Sequence, residues 1–361
     1  MSGIDPAESI RRAGGESNPE YVNARVRARR RALLDDDDYR KLIRMGPGEI
    51  ARFMEETEYE REMNALGARY DGVDLIEYAL NQNLAKHFDD LLDWANGELY
   101  GLIASYLRKF DAWNAKTVIR GVYSGADPAE IDEDLIRAGE FDDALLDRLV
   151  EADSVETVVE LLRPTIFGPD LPPALEQFRE EGVLVPLENA IDRTFYEHLL
   201  DGLRRETDNQ PRKLYLEFLQ AEIDFRNARN ALRIARSGAD IEPASFFIEG
   251  GVLFTQEDLA GLMREPEALV EHLSQSRYGT RIADAIAGLD EQTSLIQFEH
   301  ALEAAQLRFA SRLSNVNPIA VTSALSYILS KEREVENIRA IARGKEVGLT
   351  SEEIERELVI T

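Results

Sequence analysis

The sequence of 361 residues predicts an all-α protein built from three similar helical repeats. One ten-residue motif occurs three times, and two further markers occur three times in the same order around it. Alternating runs of β-branched residues, which are typical of strands, hardly occur. Because self-similarity indicates a repeated packing unit, each copy is expected to fold in the same way.

The motif is a short helix centred on an asparagine. An acid stands three positions before the asparagine, a lysine or arginine two positions after it, and an arginine six positions after it. A glycine follows eleven positions after each asparagine, at Gly125, Gly238 and Gly348. The copies are Asp111–Arg120 around Asn114, Asp224–Arg233 around Asn227, and Glu334–Arg343 around Asn337. A reduced fourth copy, Tyr21–Arg29 with Asn23, opens the protein.

Two other markers fix the length of the repeat. A Glu-x-Ala sequence recurs at intervals of 111 residues, and a Thr/Ser-x-aromatic sequence precedes it each time. The first marker stands at Glu77, Glu188 and Glu299, and the second at Thr57-Glu-Tyr59, Thr165-Ile-Phe167 and Ser276-Arg-Tyr278. This period exceeds the roughly 20–50 residues of solenoid units. Each repeat is therefore large enough to be a small domain with its own core.

The expected division of the chain follows from these markers. Residues 1–17, rich in glycine, serine and charge, are expected to be a flexible arm. The first repeat with its N-terminal helix spans 18–126, the second 127–239, and the third, with a C-terminal helix, 240–361. The superposable parts are expected near 38–126, 140–239 and 254–348. The chain begins on a motif helix and ends just past one, as a closed threefold ring would if cut open.

Prolines and caps predict several local features. Asn18-Pro19 predicts a helix start, and this helix is expected to run to about Leu34. Its arginines form either a solvated or paired face or a docking edge. Asp127-Pro128 predicts the start of a short helix, Pro172-Pro173 a loop, and Asn317-Pro318 the start of a long helix. Thr350 is expected to be the N-cap of a short helix.

Composition excludes several classes of protein. Without cysteine there is neither a disulfide framework nor a thiolate metal site. The net charge of −27 excludes a nucleic-acid binder that depends on overall positive charge. A very acidic, lysine-poor chain is typical of a salt-rich cytoplasm, in which salt screens self-repulsion. We interpret the acidity as an adaptation to habitat.

The hydropathy pattern predicts no membrane-spanning segment. The longest uncharged run, 313–330, contains serine, asparagine, proline and threonine and is shorter than about 20 apolar residues. The first residues contain Asp5 and Glu8 without an apolar stretch, unlike a signal peptide. The expected location is cytoplasmic, free or held at a membrane by partner proteins.

A helical wheel divides the motif into two faces. The positions one, four and five after the asparagine form an apolar arc, and the acid and the asparagine lie at its edge. The two basic positions lie on the other face: Lys116 and Arg120, Arg229 and Arg233, Arg339 and Arg343. These six residues are either a solvated or salt-bridged face or three basic stripes that bind an acidic or helical partner.

No sequence pattern indicates an active site, a cofactor or a metal. Gly344-Lys345 is followed by Glu346 and not by serine or threonine, and no His-Glu-x-x-His occurs. His87 and His198 each stand ten positions after a marker glutamate, but Phe309 takes that position in the third repeat. We therefore expect no enzyme, no catalytic residue, no nucleotide and no metal, and we interpret the histidines as half-buried helix residues.

The same motifs carry a family resemblance. Tyr21–Arg27, Trp113–Gly121 and Glu334–Lys345 resemble the motifs of the C subunit of archaeal A-type ATP synthases, the equivalent of the d subunit of vacuolar-type ATPases. The resemblance covers the chain from about Asn18 to the end. It departs slightly in the second copy, where Phe225-Arg226 replaces Ala112-Trp113.

The resemblance implies three similar helical domains in a pseudo-threefold, funnel-like arrangement. It also implies a central-rotor protein that receives the D and F subunits of the central stalk and sits on the membrane rotor ring. Such a protein transmits torque, hydrolyses nothing, and is peripheral on the cytoplasmic face of the cell membrane. The alternative is a soluble helical-repeat adaptor unrelated to rotary ATPases.

Overall fold

A computed structural model describes residues 13–204, 210–237, 245–264, 266–278 and 295–359. These residues form α-helices joined by turns, with no strand among them, so the all-α prediction is confirmed. The first helices are α1 Pro19–Arg30, α2 Asp36–Leu42, α3 Pro47–Met54, α4 Glu60–Leu66, α5 Gly72–Trp94 and α6 Gly97–Leu107. Then come α7 Lys109–Ser124, α8 Pro128–Glu133, α9 Asp143–Val150, α10 Val155–Leu162, α11 Leu171–Glu181 and α12 Val185–Arg204. The last are α13 Gln210–Ser237, α14 Gln256–Leu262, α15 Pro266–Gln275, α16 Leu295–Val316, α17 Thr322–Glu346 and α18 Ser351–Arg356.

The described residues form two compact units. The terminal unit joins both ends of the chain and comprises 15–103 and 295–359, whereas the middle unit comprises 104–278. The terminal unit contains the third motif copy and the reduced copy. The middle unit contains the first and second copies, so each unit is considered below by itself.

The terminal unit is organised around α17, which carries the third motif. This helix packs against α1, α5 and α16, and α2 and α3 cover further parts of it. Its side chains are buried on nearly every face from Thr322 to Leu329. A helix that is buried on all faces belongs in the interior of a protein, whereas the second half of α17 exposes Glu336, Arg343 and Glu346.

The middle unit is organised around α7 and α13, which carry the first two motifs. Helix α7 packs against α9, α10 and α12, and α13 packs against α12 and α15. The apolar arc predicted from the wheel is buried in both helices: Ala115, Val118 and Ile119 in α7, and Ala228, Ala231 and Leu232 in α13. The equivalent Ile338, Ile341 and Ala342 are buried in α17.

Helix ends agree with most of the local predictions. Asp127 caps α8 and Thr350 caps α18, each with a capping box. Gly125 and Gly348 have φ values of 74° and 78°, the left-handed conformation that ends a helix on a glycine. Gly238 lies outside the described residues, as do residues 1–12 of the expected arm.

Three local predictions were wrong in their boundaries. Helix α1 ends at Arg30 and not at about Leu34. Pro172 and Pro173 belong to the first turn of α11 and not to a loop, because proline lacks only an N–H that is unpaired there in any case. Helix α17 begins at Thr322, since residues 317–321 form turns before it.

The Thr/Ser-x-aromatic marker is the same turn in all three places. The hydroxyls of Thr57, Thr165 and Ser276 each donate to the carbonyl three residues earlier, at 2.6–2.7 Å. Each of these oxygens also accepts from the backbone N–H of the aromatic residue two positions later. The turn buries Tyr59, Phe167 and Tyr278.

Candidate functional site

The candidate site is the set of three motif helices, and its invariant element is the asparagine. The Asn114 amide donates to the Ile136 carbonyl at 2.8 Å, and its oxygen accepts from the Ile136 N–H at 2.9 Å. Asn227 makes the same pair of bonds with Ile248, and Asn337 makes it with Val359. Each partner lies 21 or 22 residues further along the chain. The asparagine therefore fixes the returning chain against its own motif helix.

The acid of the motif binds a second point on the returning chain. Both oxygens of Asp111 accept backbone N–H groups, from Glu140 and Phe141 at 2.9 Å. In the second copy, Asp224 accepts from Val252 and Leu253, also at 2.9 Å, and from the Tyr278 hydroxyl. Gly139 and Gly251 precede these amides because a Cβ there would stand within 2.2 Å of the carboxylate.

In the third copy the acid contacts a segment from the other end of the sequence. Glu334 accepts instead from the backbone N–H of Leu34 at 2.6 Å, near the start of the chain. Like Phe141 in the first copy, Leu34 immediately precedes the N-cap aspartate of the next helix. The contact that joins consecutive segments in the middle unit thus joins the two ends of the chain in the terminal unit.

Glu334 also belongs to a buried polar cluster. The Lys331 ammonium donates to Glu334 at 2.8 Å and to the Tyr59 hydroxyl at 2.9 Å, and that hydroxyl donates to Glu334 at 2.7 Å. Burial lowers the pKa of Lys331, although Glu334 opposes this shift. Burial also raises the pKa of Tyr59 well above its usual value. The cluster holds one buried ion pair with its remaining hydrogen-bonding positions partly filled.

The motif acids Asp111 and Asp224 occupy structural positions, because each accepts backbone N–H groups. Burial raises the pKa of Asp111 to about 7, against the opposing effect of its two backbone hydrogen bonds. Burial also raises the pKa of Asp224. A raised carboxyl pKa often marks a catalytic acid, but structural groups show it as well. Here the carboxylate oxygens accept backbone N–H groups, so the raised pKa values reflect the burial of structural hydrogen-bonding groups.

In the first and third copies, the inner member of the predicted basic pair contacts a Glu-x-Ala helix. Lys116 forms an ion pair with Asp192 of α12 at 2.6 Å, and only 13% of its side chain is exposed. Arg339 donates to the Asn81 side chain of α5 at 2.7 Å. Asp192 and Asn81 each stand four residues after a marker glutamate, so they lie one turn further along the same helix face.

In the same two copies, the outer member is more exposed and forms an ion pair with the marker glutamate itself. Arg120 forms an ion pair with Glu188, and Arg343 forms one with Glu77. More than half of each arginine side chain remains exposed, 53% and 58%. In the second copy Arg229 is half-buried and Arg233 is exposed on α13. In the first and third copies, the basic stripe and the Glu-x-Ala marker are therefore in contact, although they are separate features in the sequence.

Two kinds of residue in this arrangement were not singled out from the sequence. One is the acceptor set on the Glu-x-Ala helices, Asp192 and Asn81, which a search four residues after each marker glutamate would have found. The other is Gly121 and Gly344, each seven positions after a motif asparagine. A Cβ at either glycine would lie 2.5–2.7 Å from Ile131 or Ile354, so these glycines let α8 and α18 cross their motif helices closely.

Within the described part of the chain, no group of three or more histidine, aspartate or glutamate side chains is arranged to hold a metal ion. Among the same residues, no helix is both long enough and apolar enough to cross a membrane. His87, one of the histidines in the Glu-x-Ala helices, is buried between α1 and α17.

Comparison with known proteins gives one consistent result. The family model described as ATP synthase (C/AC39) subunit matches residues 22–357. A relative from Halorubrum lacusprofundi, named as the C subunit of an A-type ATP synthase, is 63% identical over 97% of this chain and 99% of its own length. A relative of the same name from Haloferax volcanii is 64% identical over 96% of this chain. One from Methanococcoides burtonii is 36% identical over 98% of it.

Proposed function

Because the chain belongs to the ATP synthase (C/AC39) subunit family, we propose that it is a non-catalytic central-rotor subunit of a proton-translocating A-type ATP synthase. It couples the central stalk, with its D and F subunits, to the membrane rotor ring during ATP synthesis. It is peripheral on the cytoplasmic face of the cell membrane and is held there by these partners. The observation that carries the proposal is the match with named C subunits over nearly the full length of both chains.

The anchoring of the motif helices supports a mechanical role. In the first two copies the asparagine and the acid bind the returning backbone at two points, with four hydrogen bonds. In the third copy Asn337 binds the returning backbone with two hydrogen bonds, and Glu334 binds the backbone of Leu34. Buried and charge-assisted bonds of this kind resist local opening. A subunit that transmits torque needs helices that keep their positions under load, whereas an enzyme would need its acids free for substrate.

Co-purification tests the proposal. An affinity-tagged copy of the chain, extracted from membranes in mild detergent, should carry the D and F stalk subunits and the ring protein with it. Membranes that lack the chain should hydrolyse ATP without pumping protons, because the stalk would turn without driving the ring. Recovery of the tagged chain from the soluble fraction without these proteins would instead favour the helical-repeat adaptor.

The six basic motif residues are proposed to contribute to stalk binding, with the outer arginines Arg120, Arg233 and Arg343 making the contact. These arginines are exposed, and Lys116, Arg229 and Arg339 support them from the same helix face. Replacing all three outer arginines by glutamate should weaken stalk binding while changing the unfolding midpoint little, since exposed ion pairs contribute about 0–1 kcal/mol.

The matched control for this triple variant is Arg31→Glu, Arg52→Glu and Arg61→Glu. It changes the net charge equally at exposed arginines outside the three full motif copies. Normal stalk binding by the motif triple variant, or equal weakening by the control, would place the binding surface elsewhere.

A further inference from the structure

A groove of about 790 Å³ lies in the terminal unit, where the end of α1 meets α16 and α17. Six of the residues that line the groove are exposed, namely Asp35, Asp36, Arg308, Arg312, Asn315 and Val316, so the groove opens to solvent. It borders the Glu334–Leu34 contact that joins the ends of the chain.

The groove combines apolar side chains with arginines. Leu33, Leu34 and Leu307 are half-buried along it, and Val316 is 64% exposed at one end. Four arginines come from three different helices, and no lysine lines the groove. Surfaces that bind polypeptides typically have this composition, with apolar contact area in the centre and arginine enriched around it.

The charges of the groove are not balanced within the described residues. Arg333 forms ion pairs with Glu303 and Glu336, at 2.6 and 2.8 Å. Arg30 is half-buried, and its hydrogen bond goes to the Ser326 hydroxyl and not to a carboxylate. Arg308 is exposed, with no hydrogen bond or ion pair to any described residue. Two of the four arginines that line the groove therefore have no carboxylate partner among the described residues.

The acids that line the groove do not offset these arginines. Asp35 caps α2 by accepting from the backbone of Asp37 and Asp38. Glu334 is already bound by Lys331, Tyr59 and Leu34. Asp36 remains, exposed on the first turn of α2, where the helix dipole favours an acid. The residues that line the groove therefore carry four positive and three negative formal charges, and Arg30 and Arg308 have no carboxylate partner among the described residues.

A small anion does not fit these features well. A site for a small ligand encloses most of that ligand's surface, whereas six of the residues that line this groove are exposed. The leucines would also contribute nothing to binding a bare phosphate. An extended or helical segment can cover the leucines and place carboxylates beside Arg30 and Arg308 at the same time.

We propose that this groove binds an acidic segment with apolar residues from another polypeptide. Carboxylates of the segment pair with Arg30 and Arg308, and its apolar side chains cover Leu33, Leu34 and Leu307. The proposal does not depend on which complex the chain joins, so it can fail while the proposed function holds, and the reverse.

Site-specific photo-crosslinking in intact membranes tests the proposal. Asn315→p-benzoylphenylalanine places the probe at the rim and leaves every arginine in place. After irradiation, mass spectrometry should identify a crosslinked peptide of another protein, with more acidic than basic residues around the crosslinked position. A crosslink to lipid, to this chain, or to a basic or neutral segment would contradict the proposal, as would no crosslink at all.

Charge reversal in the same probe-carrying protein gives the second readout. Arg30→Glu with Arg308→Glu should lower the crosslink yield about tenfold, which corresponds to about 1.4 kcal/mol of binding free energy. Arg308→Glu alone changes only an exposed residue, so it tests the proposal even if the double variant folds poorly, and it should lower the yield about threefold. The control, Arg31→Glu with Arg61→Glu, has the same charge but lies outside the groove and should keep the yield within twofold. A yield unaffected by Arg308→Glu, or lowered equally by the control, would overturn the assignment.

Discussion

At the scale of single residues, His87 shows how a buried polar side chain is held by its neighbours. His87 lies on α5 with 3% of its surface exposed, between Arg29 of α1 and Tyr327 of α17. Arg29 donates to Nε2 at 2.9 Å, so that nitrogen carries a lone pair, and Nδ1 lies 2.5 Å from the Tyr327 hydroxyl. This geometry requires a neutral imidazole ring.

The neutral ring predicts a pH dependence of stability. Burial, and secondly Lys331 and Arg29, lower the pKa of His87 from 6.5 to about 2. Below pH 6.5 the unfolded chain therefore binds a proton that the folded chain does not. The free energy of unfolding should fall with decreasing pH by up to about 1.4 kcal/mol per pH unit from this residue alone.

Denaturant unfolding between pH 7 and 5 measures this effect by comparing two variants. His87→Phe introduces the residue found at the equivalent Phe309 and should make the slope shallower by that amount. Tyr327→Phe removes one hydrogen bond but keeps the buried ring, so it should lower stability at every pH and keep the slope. Equal slopes for the wild-type chain and His87→Phe would show that the ring is not held neutral.

The buried ion pair of Lys331 and Glu334 gives a second prediction at this scale. Lys331→Met should lower the free energy of unfolding by about 3–5 kcal/mol, because it leaves a buried carboxylate without its cation. Adding Glu334→Gln should recover much of that loss, since the amide oxygen can still accept from Leu34. Urea unfolding of both single variants and the double variant measures the coupling, and additive losses would contradict a direct pair.

At the scale of helices and their connections, the hydrogen bonds of the motif asparagine hold the returning chain against its motif helix. Asn114→Leu should cost about 2–4 kcal/mol, because the buried N–H and carbonyl of Ile136 both lose their partner. The reduced fourth copy of the motif, which contains Asn23, supplies a matched control. Asn23 is equally buried on α1, but its amide makes no hydrogen bond to the part of the chain that the structure describes.

Asn23→Leu should therefore be neutral or stabilising, since it removes a buried polar group that has no protein partner. Thermal unfolding of both variants measures the contrast, which is independent of the general effect of replacing asparagine by leucine. A similar loss in both would mean that helix propensity or packing, and not the bond to the returning chain, explains the asparagine.

The same scale separates what the sequence predicts from what it does not. The motif helices, their buried apolar arcs and the caps at Asp127 and Thr350 follow from periodicity and local chemistry, because both act within a few residues. The asparagine's partner does not follow, since Ile136 offers only backbone groups and backbone groups leave no residue signature. The ion pair of Arg120 with Glu188 does not follow either. It joins two markers, and the recurrence of each marker along the sequence does not indicate that the two are in contact.

Boundary errors have an equally physical origin. Pro172 and Pro173 predict a loop when the rule for helix interiors is applied to them. The first turn of a helix needs no N–H from these residues, so the rule does not apply there. The need for glycine at Gly139 and Gly251 becomes clear only from the structure, where the carboxylates of Asp111 and Asp224 lie beside them. Local sequence rules therefore predict the helices, whereas long-range backbone contacts determine which segments pack against them.

At the scale of the whole molecule, net charge is the dominant property. The chain carries a net charge of −27, and similar proteins come from Halorubrum and Haloferax. Like charges on a compact surface repel one another and favour the expanded, unfolded chain. Since the Debye length falls from about 10 Å at 0.1 M salt to about 3 Å at 1 M, KCl should remove most of this repulsion within that range.

The unfolding temperature should consequently rise steeply between about 0.1 and 1 M KCl and then rise more slowly. Neutralising two adjacent exposed acids, Glu180→Gln with Glu181→Gln, should make the rise shallower, because it removes repulsion at the carboxyl end of α11, where the helix dipole also disfavours acids. Sucrose strengthens burial without screening charge, so it should raise the wild-type and variant midpoints by the same amount. If KCl also acts equally on both proteins, exclusion of salt from the surface, and not charge screening, stabilises this fold.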